Sequence, residues 1–263
     1  MSPELIIEYS SIDFQIHKIV TFHKILPYNT YKLSHLIFKV TMNFVESIYK
    51  ETKNIQTAIM NHPFTQGIGD GTLNKDSFKF FIEQDYLFLI EYSKILALAT
   101  AKSPDYKTMS SFSKLLEETL NNEITLHIGY CEKFEITLSD LQNTQPAPAM
   151  ESYTNFLVKV AYEGEFPEII AALLPCMLTY AEIGLELKRN KIKNNDPLYN
   201  EWIEMYSNPE FVDLAHWLRD LVNTIASNSS DFQIKKMKKA YIDSCRFELD
   251  FWTMSLNRTS WSV

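Results

Sequence analysis

The chain has 263 residues, enough for one large domain or two small ones, and it carries a formal net charge of −8 at pH 7. Its lysines and arginines are scattered, so no basic stripe favours a nucleic-acid partner. Six glycines, and ten prolines that stand mostly at apparent helix boundaries, favour an all-α fold over a turn-rich β fold.

The amino-terminal part of the chain differs from the rest. Residues 1–41 contain pieces rich in Ile, Tyr, His and Phe without a sustained helical period, so we expect an N-terminal extension and assign it no role. Residues 42–60 show apolar side chains at helical spacing, which predicts an amphipathic helix. Residues 62–73, H-P-F-T-Q-G-I-G-D-G-T-L, predict a loop between helices. Their G-x-G-x-G spacing does not indicate phosphate binding, because no strand precedes it and no Gly-Lys-Ser/Thr follows.

The remaining segments have the pattern of helices joined by short connections. Asn74 is a predicted N-cap for a helix over residues 75–100, and Asp105 opens another that runs to about residue 134. Later helices are marked by two cap-plus-proline pairs and two long periodic stretches: Asp196-Pro197, Asn208-Pro209, residues 167–190 and residues 232–256. This pattern predicts one helical-bundle domain over residues 42–256, followed by a tail at residues 257–263.

The stretch from Ala171 to Gly184, A-A-L-L-P-C-M-L-T-Y-A-E-I-G, combines a buried-helix composition with chemically active side chains. Pro175 lacks a backbone N–H, which predicts a kink in this helix. Cys176 and Tyr180 are four residues apart and therefore share one helical face, which suggests the wall of a pocket. The alternative is that Cys176 is only a small buried hydrophobic residue.

Four other polar side chains lie in apolar helical surroundings: Asp85, Glu248, Tyr153 and Tyr206. Phe88 lies one turn from Asp85, and Phe251 lies one turn from Glu248. Buried charges need partners, but such partners are often purely structural, so each position alone is only a candidate. His127, four residues after Glu123, is expected to be a hydrogen-bonded interior histidine.

Metal sites and α/β hydrolase chemistry are not favoured by the motifs. A ferritin-like di-iron site needs Glu-x-x-His pairs, and none occurs. A Ser-His-Asp hydrolase of the α/β fold is not indicated, because the sequence has no G-x-S-x-G motif and no strand pattern. We therefore expect no metal and no cofactor.

The cysteines and the apolar runs bear on the cellular setting. Cys131, Cys176 and Cys245 show no C-x-x-C spacing, which disfavours a disulfide framework or zinc site and favours a reducing, cytoplasmic setting. The longest apolar run, residues 169–180, is too short to cross a bilayer and contains a proline. No signal peptide is evident at the start of the chain. We expect a soluble protein that has no membrane partner.

Five segments together resemble the TenA family, thiaminase II, over about residues 42–256. They are H-P-F-T-Q-G-I-G-D-G-T-L at 62–73, Gln84-Asp85, S-Y-T at 152–154, A-A-L-L-P-C-x-x-x-Y-x-E-x-G at 171–184, and F-E-x-x-F-W at 247–252. The resemblance implies a helical fold of the haem-oxygenase-like type without haem, usually as a homotetramer. It also implies hydrolysis of aminopyrimidine breakdown products of thiamine, for pyrimidine salvage.

The resemblance also assigns roles to individual residues. Cys176 matches the family's catalytic cysteine, and Asp85 matches the aspartate that binds the pyrimidine's ring nitrogen and amino group. Glu248 matches the glutamate proposed as proton donor and acceptor. The remaining matches are pocket aromatics: Tyr206, which positions the glutamate, Tyr180 beside the cysteine, and Tyr153 and Phe251 in the wall. Phe88 stands where many members have tyrosine, so stacking is kept and a hydroxyl is lost.

These residue types suggest a mechanism. A free thiol has a pKa of about 8.5, so Cys176 needs a partner to ionise, and we expect Asp85 to accept its proton. We expect Glu248 to protonate the leaving amine and then to activate water, with its pKa raised by the aromatic residues around it.

Two other functions remain open at this point. A non-catalytic pyrimidine-binding or regulatory protein would keep the pocket without turnover. A haem or di-iron oxygenase on the same fold would be coloured or contain iron. The preferred substrate, thiamine or a degraded aminopyrimidine, is also open.

Overall fold

The computed structural model describes residues 43–190 and 194–262. The predicted extension at residues 1–41 lies outside these residues, so the division into 1–41, 42–256 and 257–263 stays a prediction. The described residues form helices and connecting segments without a β-strand, which confirms the all-α prediction. The helices are α1 Phe44–Glu51, α2 Lys53–Met60, α3 Pro63–Asp70, α4 Lys75–Lys102, α5 Tyr106–Glu118, α6 Ile124–Lys133, α7 Leu138–Asn143, α8 Pro148–Glu163, α9 Phe166–Asn190, α10 Pro197–Tyr206, α11 Pro209–Ser227 and α12 Asp231–Asn257.

Capping side chains fix several helix starts where the sequence places them. The side chains of Asn74, Asp105, Asp196 and Asn208 each accept a hydrogen bond from a backbone N–H in the first turn of the helix that follows. These bonds satisfy N–H groups that have no partner within the helix. The predicted starts of α4, α5, α10 and α11 are confirmed.

The prediction of a loop over residues 62–73 is wrong, because Pro63–Asp70 is a helix. Pro63 occupies its first position, and Nδ1 of His62 accepts a hydrogen bond from the N–H of Phe64. The glycines there serve close packing rather than a loop: a Cβ on Gly69 would lie 2.6 Å from Cδ2 of Leu187. Only Gly71, with φ of 80°, takes the left-handed conformation, and it ends the helix.

A π-turn interrupts the helix that was predicted to run continuously from Asp105 to about residue 134. Residues Thr119–Glu123 form this turn, and the N–H of Ile124 bonds the carbonyl of Thr119 five residues back. The wider turn changes which side chains of this segment face inward. It separates α5 from α6 and brings both Thr119 and Glu123 to the wall of an internal cavity.

Helix α9 is the core of the bundle. It packs most extensively against α12 and α11, and its side chains are buried on nearly every face, which its continuously apolar sequence explains. The helix is long and apolar enough to cross a membrane by length and composition, but 78% of its most apolar window is buried inside the protein. It continues through Pro175, and the predicted kink there stays a prediction.

Gly184 allows the end of α10 to rest directly on α9. A Cβ at this position would lie 2.6 Å from the carbonyl carbon of Tyr206 and 2.8 Å from its oxygen. Both atoms are backbone, so the contact cannot be relieved by turning a side chain. The absence of a side chain at Gly184 thus fixes where Tyr206 sits.

Gly184→Ala should therefore destabilise the protein by about 1–3 kcal/mol, because α10 must move away from α9. Denaturant unfolding followed by circular dichroism measures this free energy. Gly129→Ala is the matched control, since a Cβ on this helical glycine would meet no heavy atom within 4 Å. The control should be neutral or slightly stabilising. Equal stability of Gly184→Ala and the parent chain would show that the backbone contact is not as tight as described.

Candidate active site

A largely enclosed cavity lies where α4, the π-turn, α9 and α10 meet. Five of the residues singled out in the sequence line it: Asp85, Phe88, Cys176, Tyr180 and Tyr206. Cys131 and Cys245 are buried, whereas Cys176 keeps part of its surface accessible. The predicted face of α9 with Cys176 and Tyr180 is therefore a cavity wall, as the four-residue spacing indicated.

Glu248 and Tyr153 lie directly behind this wall. The Glu248 side chain on α12 is only 2% exposed, and its Oε1 accepts a hydrogen bond from the hydroxyl of Tyr153 on α8, at 2.6 Å. The Cys176 thiol also lies near enough to the Glu248 carboxyl group for each to shift the pKa of the other. No hydrogen bond joins the thiol to Asp85 in the described residues, and the prediction that Asp85 accepts the thiol proton stays a prediction.

Asp85 is instead paired with His127. Its Oδ2 lies 2.7 Å from Nε2 of His127, and Nδ1 of the same ring lies 2.8 Å from the backbone carbonyl of Glu123. A carbonyl can only accept, so Nδ1 carries a proton. Burial alone would lower the pKa of His127, but the hydrogen bond and charge of Asp85 outweigh it and the pKa is raised. The raised pKa favours a protonated His127 beside Asp85, and the expected hydrogen-bonded interior histidine is confirmed.

Glu123 is a site residue that the sequence analysis missed. Its carboxyl group reaches the cavity and accepts a hydrogen bond from the hydroxyl of Tyr206 at 3.1 Å. Burial raises the pKa of Glu123 to about 7, with the charge of Asp85 adding to the effect and His127 and Tyr206 opposing it. The prediction that Tyr206 positions Glu248 is wrong, because Tyr206 holds Glu123 and Tyr153 holds Glu248.

The Cys176 thiol and the Glu248 carboxyl group each shift the pKa of the other. Burial raises the pKa of Glu248 to about 8, with Asp85 adding to the effect, while the hydrogen bonds from Tyr153 and Cys176 oppose it. Burial, followed by the charges of Glu248, Glu123 and Asp85, raises the pKa of the Cys176 thiol well above its usual value. The thiol is therefore protonated near neutral pH, and it needs a proton acceptor before its sulfur can act as a nucleophile.

Aromatic rings complete the surroundings of the cavity. The Phe88 ring centroid lies 5.1 Å from that of Tyr153 and 5.7 Å from that of Phe251, so both rings pack against Phe88. On the α9 side, the ring of Tyr180 lies 4.8 Å from that of Tyr206. Rings at these separations form a rigid apolar wall that suits a flat ligand.

Tyr92 is a second residue that the sequence analysis missed. It lines the same cavity, and its ring stacks on that of Phe88 with centroids 5.6 Å apart. Its hydroxyl is buried and finds no hydrogen-bond partner among residues 43–190 and 194–262. Phe88 lacks a hydroxyl, so Tyr92 supplies a free donor one helical turn further along the same wall.

No group of three or more His, Cys, Asp or Glu side chains is arranged to hold a metal ion in the described part of the chain. The acidic groups of the cavity are instead bound to His127 and to tyrosine hydroxyls, as given above.

Comparison with known proteins gives matches over most of the chain. It is 41% identical over 221 residues to the aminopyrimidine aminohydrolase of Halalkalibacterium halodurans, covering 84% of this chain and 99% of that protein. The solved structure of a TenA homologue from P. horikoshii OT3 superposes with a TM-score of 0.76 at 27% identity, covering 82% of this chain and 99% of the other.

A more distant match identifies the fold. A domain from Shewanella denitrificans OS217 with a heme oxygenase-like fold superposes with a TM-score of 0.64 at 13% identity, covering 81% of this chain and 92% of that domain. The haem-oxygenase-like fold is therefore confirmed.

The family resemblance is confirmed as well. The model of the TENA/THI-4/PQQC family matches residues 49–258, which include every residue of the cavity described above. The chain therefore belongs to the TENA/THI-4/PQQC family.

Proposed function

We propose that the chain is an aminopyrimidine aminohydrolase of thiamine salvage. Its reaction would convert 4-amino-5-aminomethyl-2-methylpyrimidine to the 5-hydroxymethyl product with release of ammonia. The observation that carries the proposal is the Cys176 thiol at the wall of an enclosed aromatic cavity, with the Glu248 carboxyl group near enough to shift its pKa. The name of the relative from Halalkalibacterium halodurans, aminopyrimidine aminohydrolase, supports it.

Asp85 would orient the pyrimidine ring. His127 holds Oδ2 of Asp85, which leaves Oδ1 to accept a hydrogen bond from the ring's amino group. His127 also gives this buried carboxyl group a hydrogen-bond partner, without which a charge there would be costly. Phe88 and Tyr180 provide apolar faces against which the flat ring stacks.

The first half of the reaction would expel the amine. The sulfur of Cys176 bonds to a ring carbon next to the aminomethyl-bearing carbon, while the thiol proton passes to the Glu248 carboxylate. The electron pair that enters the ring then breaks the bond between the methylene carbon and the amine. The leaving nitrogen takes the proton from Glu248 and departs as ammonia.

The second half would add water and restore the cysteine. Water bonds to the exocyclic methylene carbon, and its proton passes to Glu248. The ring becomes aromatic again by breaking its bond to sulfur, which takes the proton back from Glu248. The net change is water consumed and ammonia released, and Glu248 serves as acceptor and donor in turn.

The proposal extends to the setting of the enzyme. We expect a homotetramer in a reducing cytoplasm, and the family resemblance and the unpaired cysteines support this expectation. Light scattering of the purified chain measures its assembly state.

Cys176→Ala should lower ammonia release by on the order of 10³-fold or more, because no other group in the cavity replaces the nucleophile. Turnover of both 4-amino-5-aminomethyl-2-methylpyrimidine and thiamine should be measured, and the comparison also shows which substrate is preferred. Pyrimidine binding, measured by calorimetry, should persist. Cys131→Ala is the control, since this buried cysteine does not line the cavity. Undiminished turnover by Cys176→Ala would refute the mechanism, and absence of turnover in the parent chain would favour a binding protein.

The rate should rise with pH through about 8, because only ionised Glu248 accepts the thiol proton and its pKa is about 8. Below that pH the carboxyl group is already protonated, so kcat/KM should fall as the pH decreases. Glu248→Gln should abolish this rise of kcat/KM with pH and lower kcat by about 10²–10⁴-fold. Measuring kcat/KM of both proteins between pH 6 and 9 tests this. A flat or descending parent profile across this range contradicts the assigned role.

A further inference from the structure

Three hydrogen bonds connect Glu248 to the backbone of α9. Oε1 of Glu248 lies 2.6 Å from the hydroxyl oxygen of Tyr153, which lies 2.8 Å from Oγ of Ser244. Ser244 in turn donates to the backbone carbonyl of Ala172 at 2.7 Å. The Ser244 side chain is fully buried, so bulk water does not reach it.

The number of protons in this chain depends on the state of Glu248. A backbone carbonyl only accepts, so the single hydroxyl proton of Ser244 is directed to Ala172. Ser244 can then only accept from Tyr153. When Glu248 is protonated, every contact carries one proton: Glu248 donates to Tyr153, Tyr153 to Ser244, and Ser244 to Ala172.

The ionised state leaves one contact without a proton. The Tyr153 hydroxyl then donates to the Glu248 carboxylate, and its oxygen faces Ser244 with no proton between them unless Ser244 abandons Ala172. Either arrangement loses a buried hydrogen bond, which is unfavourable. Ser244 therefore favours protonated Glu248. The Tyr153 hydroxyl alone favours ionised Glu248, because the carboxylate accepts its proton.

We propose that Ser244 is a positioning residue that, through Tyr153, forms a reversible hydrogen-bond switch which holds a proton on Glu248. During turnover the Tyr153 hydroxyl would turn from Glu248 to Ser244 as the carboxyl group takes the thiol proton. It would turn back when the leaving amine takes that proton. The role in turnover rests on the proposed function, but the effect on the protonation of Glu248 does not.

Other ionisable groups also face Glu248, and the test must leave them unchanged. Asp85 on α4 and Cys176 on α9 act on it directly. Its charge also reaches groups on these two helices and on its own: Tyr92, Tyr180 and Cys245. None of the substitutions below alters them.

Ser244→Ala should shift the midpoint of Glu248 titration down by about 0.5–1 pH unit, because Tyr153 is then free to donate to the carboxylate at all times. Tyr153→Phe should shift it up, since the carboxylate loses its buried donor. The double variant should titrate like Tyr153→Phe alone, because Ser244 acts only through Tyr153. Ser244→Thr retains the hydroxyl and should restore the parent midpoint.

The midpoint can be read in two independent ways. Infrared difference spectra of the carboxyl C=O band, assigned by its loss in Glu248→Gln, give the titration without any substrate. The ascending limb of kcat/KM gives it during turnover. Ser255→Ala is the matched control, because Ser255 is also buried on α12 but, among the described residues, its hydroxyl bonds only the carbonyl of Phe251, at 2.8 Å. Its midpoint should not change.

The outcomes separate the switch from the proposed function. Midpoints of Ser244→Ala and the parent that coincide in the infrared titration would overturn the switch, as would a Ser244 effect that persists in the Tyr153→Phe background. If the infrared midpoints shift as expected while the parent chain releases no ammonia, the switch stands and the proposed function fails. Circular dichroism establishes that each variant is folded, and Ser244→Thr keeps the test decisive should Ser244→Ala unfold.

Discussion

The chemistry of this protein depends on a shortage of positive charge in a buried cavity. Asp85, Glu123, Glu248 and the Cys176 thiol lie around one site, and His127 is the basic side chain that pairs with one of them among the described residues. Its hydrogen bond goes to Asp85. The other two carboxyl groups bear the cost of desolvation, which raises the pKa of Glu123 to about 7 and that of Glu248 to about 8. Acids poised near neutrality can both give and take protons.

The fold creates this arrangement through two local departures from regular packing. The π-turn at Thr119–Glu123 directs the Glu123 carboxyl group inward, and its backbone carbonyl also fixes the ring of His127. Gly184 lets α10 rest on α9, which places the Tyr206 hydroxyl beside Glu123. The π-turn and Gly184 thus act by orienting polar side chains of the site, not by burying more apolar surface. The geometry of the acids is therefore determined by backbone shape as much as by side-chain choice.

The sequence predicted the helices and most of the site, and its failures have a common physical cause. Periodicity and capping pairs such as Asn208-Pro209 are local signals, so the starts of the helices followed from them. Residues such as Cys176 and Glu248 were found by their resemblance to a family. Glu123, Tyr92 and the true partner of Tyr206 were missed because they depend on the π-turn and on contacts between distant segments. The glycines of residues 62–73 led to the wrong prediction of a loop, because glycine is used both in loops and where helices pack closely.

The protonated thiol has a consequence for selectivity. A cysteine that is anionic at rest reacts with any electrophile that reaches it, whereas Cys176 is held neutral by burial and by three acidic neighbours. In the proposed mechanism its sulfur attacks only while Glu248 is ionised and a ring occupies the cavity, since the electron pair must enter that ring. In the same proposal Asp85, held by His127, sets how the ring lies relative to the sulfur. Nucleophile, acid and orientation are thus coupled through one set of buried charges, so a substitution that neutralises any one acid should alter the behaviour of the others.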